Sequence, residues 1–174
     1  GCMDLGQHRK TWSASNGEDR YRRAVYTYRW RNTPHPALKV FDAPDGLSAC
    51  TQRIRSNTPL QALTMMNDPA FIEIAMSLSK RLITEAYSTS ERIRLGFQLC
   101  LNRDPSPEEL HLLTKLVEQQ SKEFTEHANY SEALVDQAAA IGQIQKSIQN
   151  KAEFSAWTMA ARILLNLDEA ITRE

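Results

Sequence analysis

The chain has 174 residues, a hydrophobic fraction of 41%, a charged fraction of 24% and a formal net charge of zero. A chain of this length buries roughly 70% of the surface that it exposes when extended, so it can form a hydrophobic core without disulfides or metals. No stretch approaches the roughly 18 uninterrupted apolar residues of a membrane span. We therefore expect a soluble globular domain.

Charge is unevenly distributed along the chain. Residues 1 to 58 carry ten Lys or Arg and five Asp or Glu, whereas residues 59 to 174 carry eleven and sixteen. The basic part interleaves arginines with aromatic residues, a mixture that can contact phosphates and stack on bases. The alternative is that its aromatics pack and its arginines pair with carboxylates. The overall neutrality of the chain favours this alternative over nucleic-acid binding.

Cysteines and histidines give no sign of a metal or a cofactor. Cys2, Cys50 and Cys100 are too widely spaced for a disulfide framework to be inferred, and their redox state stays open. The Cys-x-x-Cys-His motif that attaches a c-type haem is absent. The four histidines form no i, i+4 pair. We expect this chain to hold no metal and no cofactor of its own.

Residues 1 to 19 contain Gly, Ser, Asn and mixed charges without periodicity, which predicts an extended arm. Residues 20 to 174 are predicted to form a single helical domain, with a basic aromatic element and a long loop in 20 to 58 and helices in 59 to 174. Between Asp19 and Asn32 the pattern fits both a helix and a strand, and the helix is favoured. The prolines of the Thr33–Pro36 segment end this element, and residues 33 to 57 are predicted to be irregular.

The sequence contains capping signals that predict three helix starts. Thr58 precedes Pro59 and has Gln61 three residues on, which is a capping box with proline at the first helical position. Asp68 before Pro69 and Ser106 before Pro107, with Glu109 as the reciprocal carboxylate, repeat the device.

Apolar periodicity predicts the rest of the helical part. One helix runs from Pro69 to about Ala86, a shorter one is capped by Ser90 and ends at Asn102, and a third starts at Pro107. Two more begin near Ser131 and near Ala152. The expected fold class is mainly all-α, a compact multi-helix domain with helical hairpins and a long irregular N-terminal segment.

Polar residues near the long loop are the candidate site. Bidentate arginines there could hold an anionic group such as a carboxylate or a sulfate of a polysaccharide, and nearby aromatics could stack on sugar rings. The competing account, which we prefer, is that these side chains satisfy backbone groups of the loop. The candidate cleft residues are Arg22, Arg23, Asp42, Arg53, Arg55 and Asn57, and the candidate aromatic contacts are Tyr26, Tyr28 and Trp30.

Several short sequence motifs of the chain resemble those of one protein family. They are Glu18–Thr27, Phe41–Asp45, Cys50 and Thr51, Arg53, Arg55, Asn57–Leu63, Asn67–Pro69 and Leu164–Glu169. Together they resemble the conserved C-terminal domain, of unknown function, of large planctomycete-type cytochrome-associated proteins. The resemblance runs from about Trp12 to the end and is least diagnostic in residues 105 to 150.

The resemblance implies a periplasmic or cell-envelope location and haem only in other domains of the parent protein. No catalytic constellation is complete in this chain. We therefore expect a non-catalytic interaction or docking module whose partners are other domains of the parent or a second copy. A carbohydrate-binding or carbohydrate-processing role is the first alternative, and nucleic-acid binding is the second.

Overall fold

A computed structural model describes residues 2–5, 8–11, 15, 19, 22–27, 35–44, 49–52, 56–140 and 150–172. The chain divides into two compact units, Gly1–Ile54 and Arg55–Glu174. The predicted arm of residues 1 to 19 and the predicted single domain of residues 20 to 174 stay predictions.

The described residues of the first unit form short elements. Strands β1 (Cys2–Leu5) and β2 (His8–Thr11) pair antiparallel, with Cys2 opposite Thr11. A 3-10 turn spans Ala24–Tyr26, and helix α1 spans Pro36–Val40.

Two predictions for this unit are wrong. Within residues 22 to 27 the backbone makes only the 3-10 turn, where a longer helix was favoured. All six residues are exposed, so no apolar face is buried to stabilise a helix that would be marginal alone. Helix α1 lies in the segment predicted to be irregular, because Pro36 occupies the first helical position instead of ending an element.

The second unit is a helical bundle, which confirms the mainly all-α fold class. Its helices are α2 (Pro59–Asn67), α3 (Pro69–Glu85), α4 (Thr89–Leu101), α5 (Pro107–Glu126), α6 (Ala128–Ala140), α7 (Lys151–Leu165) and α8 (Asp168–Ile171). The start of α6 lies three residues before the predicted Ser131, and residues 141 to 149 of its predicted extension lie outside the described residues.

Helix α7 is the centre of the bundle, since α3, α5 and α6 all pack against it. Trp157 and Leu164 of α7 join the main core, and Phe154 joins a second cluster with Met76 and Ala138. The main core further contains Leu82, Ile93, Phe97, Leu113, Val117 and Ala160.

Helix α4 approaches α7 closely at Gly96. A Cβ atom at this position would lie 2.6 Å from Cδ1 of Leu164 and 3.7 Å from Cδ1 of Leu82. A side chain at position 96 would therefore have to displace the buried Leu164 side chain, which glycine avoids.

Capping residues fix both ends of α4. Ser88 accepts a hydrogen bond from the backbone of Glu91, whose side chain accepts from Ser88 N, so the N-cap lies two residues before the predicted cap Ser90. Ser88 has a glutamate three residues on, whereas Ser90 has Ile93 there, and only a carboxylate or amide can complete the box. The end at Asn102 agrees with the prediction, and Asn102 takes the left-handed conformation with φ of 57°.

Candidate functional site

The predicted aromatic and arginine cluster is described only in part. Arg22 donates to a carboxylate oxygen of Asp19 at 2.6 Å, and its guanidinium carbon lies 6.0 Å from the ring centre of Tyr26. Arg23 is exposed and precedes the 3-10 turn. Since all these groups face water, the contacts contribute little to stability and leave the Tyr26 ring accessible.

Asp42 lies two residues after α1, half-buried and with a positive φ of 54°. The left-handed region is uncommon for residues other than glycine, and aspartate is one of the few that tolerate it. Tyr28, Trp30, Arg53 and Arg55 lie outside the described residues, so the proposed anion-binding cleft stays a prediction.

Asn57, the last predicted cleft residue, lies in the second unit. Its side-chain amide donates to Oδ1 of Asp168 in α8. This contact ties the segment before α2 to the last helix, 111 positions further along the chain.

The predicted caps occupy the ends of helices. Thr58 and Gln61 form a capping box at α2, and Ser106 and Glu109 form one at α5. Asp68 accepts from Ala70 N at 2.9 Å at the start of α3. Gln61 is buried and also donates to Ser56 Oγ at 3.1 Å. Thr58, Asp68 and Ser106 bind backbone N–H groups in the contacts described, whereas Gln61 also binds the Ser56 hydroxyl and Glu109 also pairs with Arg103.

An open groove of about 830 Å³ lies between the C-terminal end of α4 and α8. Its lining residues are Gln98, Leu99, Cys100, Leu101, Asn102, Asp168, Glu169 and Thr172. The carbonyl end of α4 and the two acidic residues of α8 lie at the groove, and both carboxylates already accept hydrogen bonds, Asp168 from Asn57 and Glu169 from Arg103.

Arg103 follows the groove residue Asn102, and all the N–H groups of its guanidinium donate hydrogen bonds. It makes paired hydrogen bonds to Glu109 at 2.7 and 2.9 Å and to Glu169 at 2.8 and 2.9 Å. It also donates to the carbonyl of Asp104 at 3.1 Å and lies 5.0 Å from the ring centre of Phe97. One side chain thus joins the α4–α5 hairpin to α8.

These contacts shift the ionisation of the groups involved. The hydrogen bonds from Arg103 lower the pKa of Glu109 to about 2, with a further contribution from Ser106 N–H, and they also lower the pKa of Glu169. Burial raises the pKa of the Cys100 thiol, so this group stays protonated and weakly nucleophilic. The geometry is that of a structural ion-pair cluster.

A second surface feature is a set of exposed apolar side chains on α2 and in the first half of α3. Leu60, Leu63 and Met66 follow each other at i, i+3 and i+6 on α2, and Ile74 lies on α3; their exposed fractions are 42 to 59%. Helix α2 contains no charged residue. We call these four side chains the α2–α3 apolar face.

Comparison with protein families gives one match. A model described as PSD1, protein of unknown function (DUF1553), matches residues 2–117, two thirds of the chain. The chain belongs to this family. No curated protein and no solved structure matches it. The PSD1 match includes Arg103 and Glu109 but ends before α6, so Asp168 and Glu169 lie beyond it.

Two further findings concern the described residues of this PSD1 chain. Across the parts that the structure describes, no helix combines the length and apolarity needed to cross a bilayer. In the same parts, His, Cys, Asp and Glu side chains do not gather in threes to form a metal-binding group.

Sequence reasoning did not single out Arg103, Asp168 or Glu169 as interacting residues. The signal available was slight: Arg103 follows a helix-ending asparagine, and Glu109 was assigned to the cap alone. Nothing in the spacing shows that Glu169, 66 positions later, meets Arg103.

Proposed function

We propose that this PSD1 chain is a non-catalytic interaction module that docks through the α2–α3 apolar face. Within the described residues the groove acids are held by Arg103 and Asn57, an arrangement that fits a structural role better than acid–base catalysis. The family assignment leaves the activity open, so the proposal rests on the properties of the α2–α3 apolar face.

The observation that carries the proposal is the exposure of the α2–α3 apolar face. Scattered single hydrophobic residues are normal on a protein surface, but Leu60, Leu63 and Met66 form one stripe on a helix without charges. Charged residues are depleted in the centres of protein interfaces, where Met is enriched. The stripe therefore has the composition of an interface core.

We propose that the occupant is an apolar surface on another domain of the same parent protein. The resemblance to the C-terminal domain of large, exported, planctomycete-type cytochrome-associated proteins supports this choice. In that setting the parent lies in the periplasm or cell envelope, haem belongs to its other domains, and this chain takes no cofactor.

A site-specific cross-linking experiment tests the proposal. A photo-reactive phenylalanine analogue replaces Leu63 in the full-length parent protein, and the matched control replaces Leu112, an equally exposed leucine on α5 (57% and 65% exposed). We expect cross-links from position 63 to a peptide of the same parent chain outside these 174 residues, and few from position 112. Equal or absent cross-linking at both positions would refute the docking face. Cross-links to a second copy of the protein would show that this face mediates self-association and does not bind another domain of the parent.

A further inference from the structure

The attachment of α8 differs from that of every longer helix of the second unit. None of its residues is fully buried. Leu167, immediately before it, packs against the main core, while α8 itself is held by polar contacts at the protein surface. An element attached in this way opens at a lower free energy than the core helices do.

Among the contacts described, two polar contacts join the acidic residues of α8 to other parts of the second unit, and they lead to different helices. Glu169 receives the paired hydrogen bonds of Arg103, which connect it to Glu109 at the start of α5. Asp168 accepts from Asn57, one residue before the N-cap of α2. The two acidic residues are neighbours in one short helix, so motion of α8 strains both contacts at once.

We propose that α8 is a releasable latch, gripped by Arg103 through Glu169, that holds the entrance of α2 through Asp168 and Asn57. When the latch opens at Leu167, the groove between α4 and α8 widens and the segment Ser56–Thr58 loses its contact with α8. Access to the groove and the order of the α2 entrance are thereby coupled. This inference does not depend on the proposed docking function.

Cys100 provides a reporter for the opening. It lines the groove and is only partly exposed. In a Cys2→Ser, Cys50→Ser background it is the sole thiol, and its rate of reaction with a disulfide reagent measures how often the latch is open. Burial keeps this thiol protonated, so labelling in the closed state is slow.

The test variant is Glu169→Gln and the matched control is Glu132→Gln. Both glutamates are exposed to a similar degree, 57% and 58%, and both accept from a cationic side chain, Arg103 or Lys151. Removing the charge at 169 weakens the paired hydrogen bonds of Arg103, so we expect labelling of Cys100 to accelerate about three- to tenfold. The control should label at the parental rate.

Hydrogen exchange on the same proteins tests the coupling. In Glu169→Gln we expect faster exchange at the amides of residues 170 to 172 and also at Gln61, whose N–H donates to the Thr58 hydroxyl. A circular dichroism melting curve that stays cooperative, with a midpoint lowered by no more than about 2–6 °C, shows that the fold is intact. Unchanged labelling, or equal acceleration in the control, overturns the latch. Faster exchange in α8 without any change at Gln61 overturns the coupling to α2 and with it the proposal.

Discussion

Arginines at the two ends of α4 make the same kind of contact in different surroundings. Near its start, Arg92 donates to Glu153 of α7 at 2.6 Å and to the carbonyl of Ala86 at 3.0 Å, with its guanidinium carbon 5.5 Å from the ring centre of Trp157. Beyond its end, Arg103 lies over Phe97 and pairs with two glutamates. Each arginine covers a core aromatic ring and joins α4 to another helix.

The difference is exposure to water. The Arg92 side chain is 13% exposed and that of Arg103 is 34% exposed. Charges near water interact weakly because the solvent screens them, whereas a buried charge that loses its partner is left uncompensated. Arg103 has more partners than Arg92, yet the Arg92 end of α4 should be the more firmly closed. The number of contacts is thus a poorer guide to stability than their burial.

The largest expected effect comes from the aromatic rings beneath the two arginines. Trp157→Ala and Phe97→Ala each remove a ring that is about 2% exposed or less, and each should lower the free energy of unfolding by about 3–5 kcal/mol. Urea unfolding followed by circular dichroism measures both losses. Leu112→Ala, at a leucine exposed on α5, is the control and should cost less than about 0.5 kcal/mol. A loss at one ring much smaller than at the other would show that the two ends of α4 are not built on the same core.

Replacing the arginines themselves tests the comparison directly. Arg92→Met keeps most of the apolar stem but leaves Glu153 without its partner and the Ala86 carbonyl without its donor, so we expect a loss of about 2–3 kcal/mol. Arg103→Met should cost about 1 kcal/mol, because the Arg103 side chain is more exposed than that of Arg92 and water screens its ion pairs. The two values come from the same urea titrations. If Arg103→Met proved the more harmful, partner number and not burial would govern these clusters.

The helical bundle could be predicted because its signals are local. Pro59, Pro69 and Pro107 each follow a capping residue, and the apolar spacing that predicts α3, α5 and α7 reports burial on one face of a helix. The cap of α4 was misplaced by two residues because Ser88 and Ser90 both precede an apolar run. The glutamate at the third helical position decides between them.

The groove and its arginine could not be predicted because they depend on tertiary contacts. Asn57 meets Asp168, and Arg103 meets Glu169, across 111 and 66 positions of sequence. A single sequence shows which side chains can form ion pairs but not which helices are adjacent. Asn57 was assigned to an anion-binding cleft, whereas the structure places its amide on a carboxylate.

Lowering the pH should remove the stability that the Arg103–Glu109 pair contributes at the C-terminal end of α4. The hydrogen bonds from Arg103 lower the pKa of Glu109 to about 2 in the folded protein, so the unfolded chain binds more protons than the folded one between that value and the ordinary one near 4.5. Stability from this pair is therefore complete above about pH 5 and is lost as the pH falls toward 2.

We expect wild type to lose on the order of 1 kcal/mol more than Arg103→Gln between pH 6 and pH 3, after allowing for solvent screening. Urea titrations across this range measure the difference. Arg81→Gln is the control of equal charge change, since Arg81 pairs only with exposed Glu85 in the contacts described. Parallel pH profiles for wild type and Arg103→Gln would mean that the Arg103 cluster does not hold Glu109 in its charged form.

The smallest expected effect concerns the N-cap of α4, at the end of the helix that carries Arg92. Ser88→Ala removes the hydroxyl that accepts from Glu91 N, and it should lower the free energy of unfolding by about 1 kcal/mol. Ser90→Ala, two residues on, lies inside the helix and should cost nothing or slightly stabilise it, because alanine is the better helix former. Thermal melts of the two variants give the difference. A greater loss of stability from Ser90→Ala would show that Ser90 is the N-cap, as the sequence pattern predicts. The turn from which Arg92 reaches Ala86 and Glu153 would then begin two residues later than the structure has it.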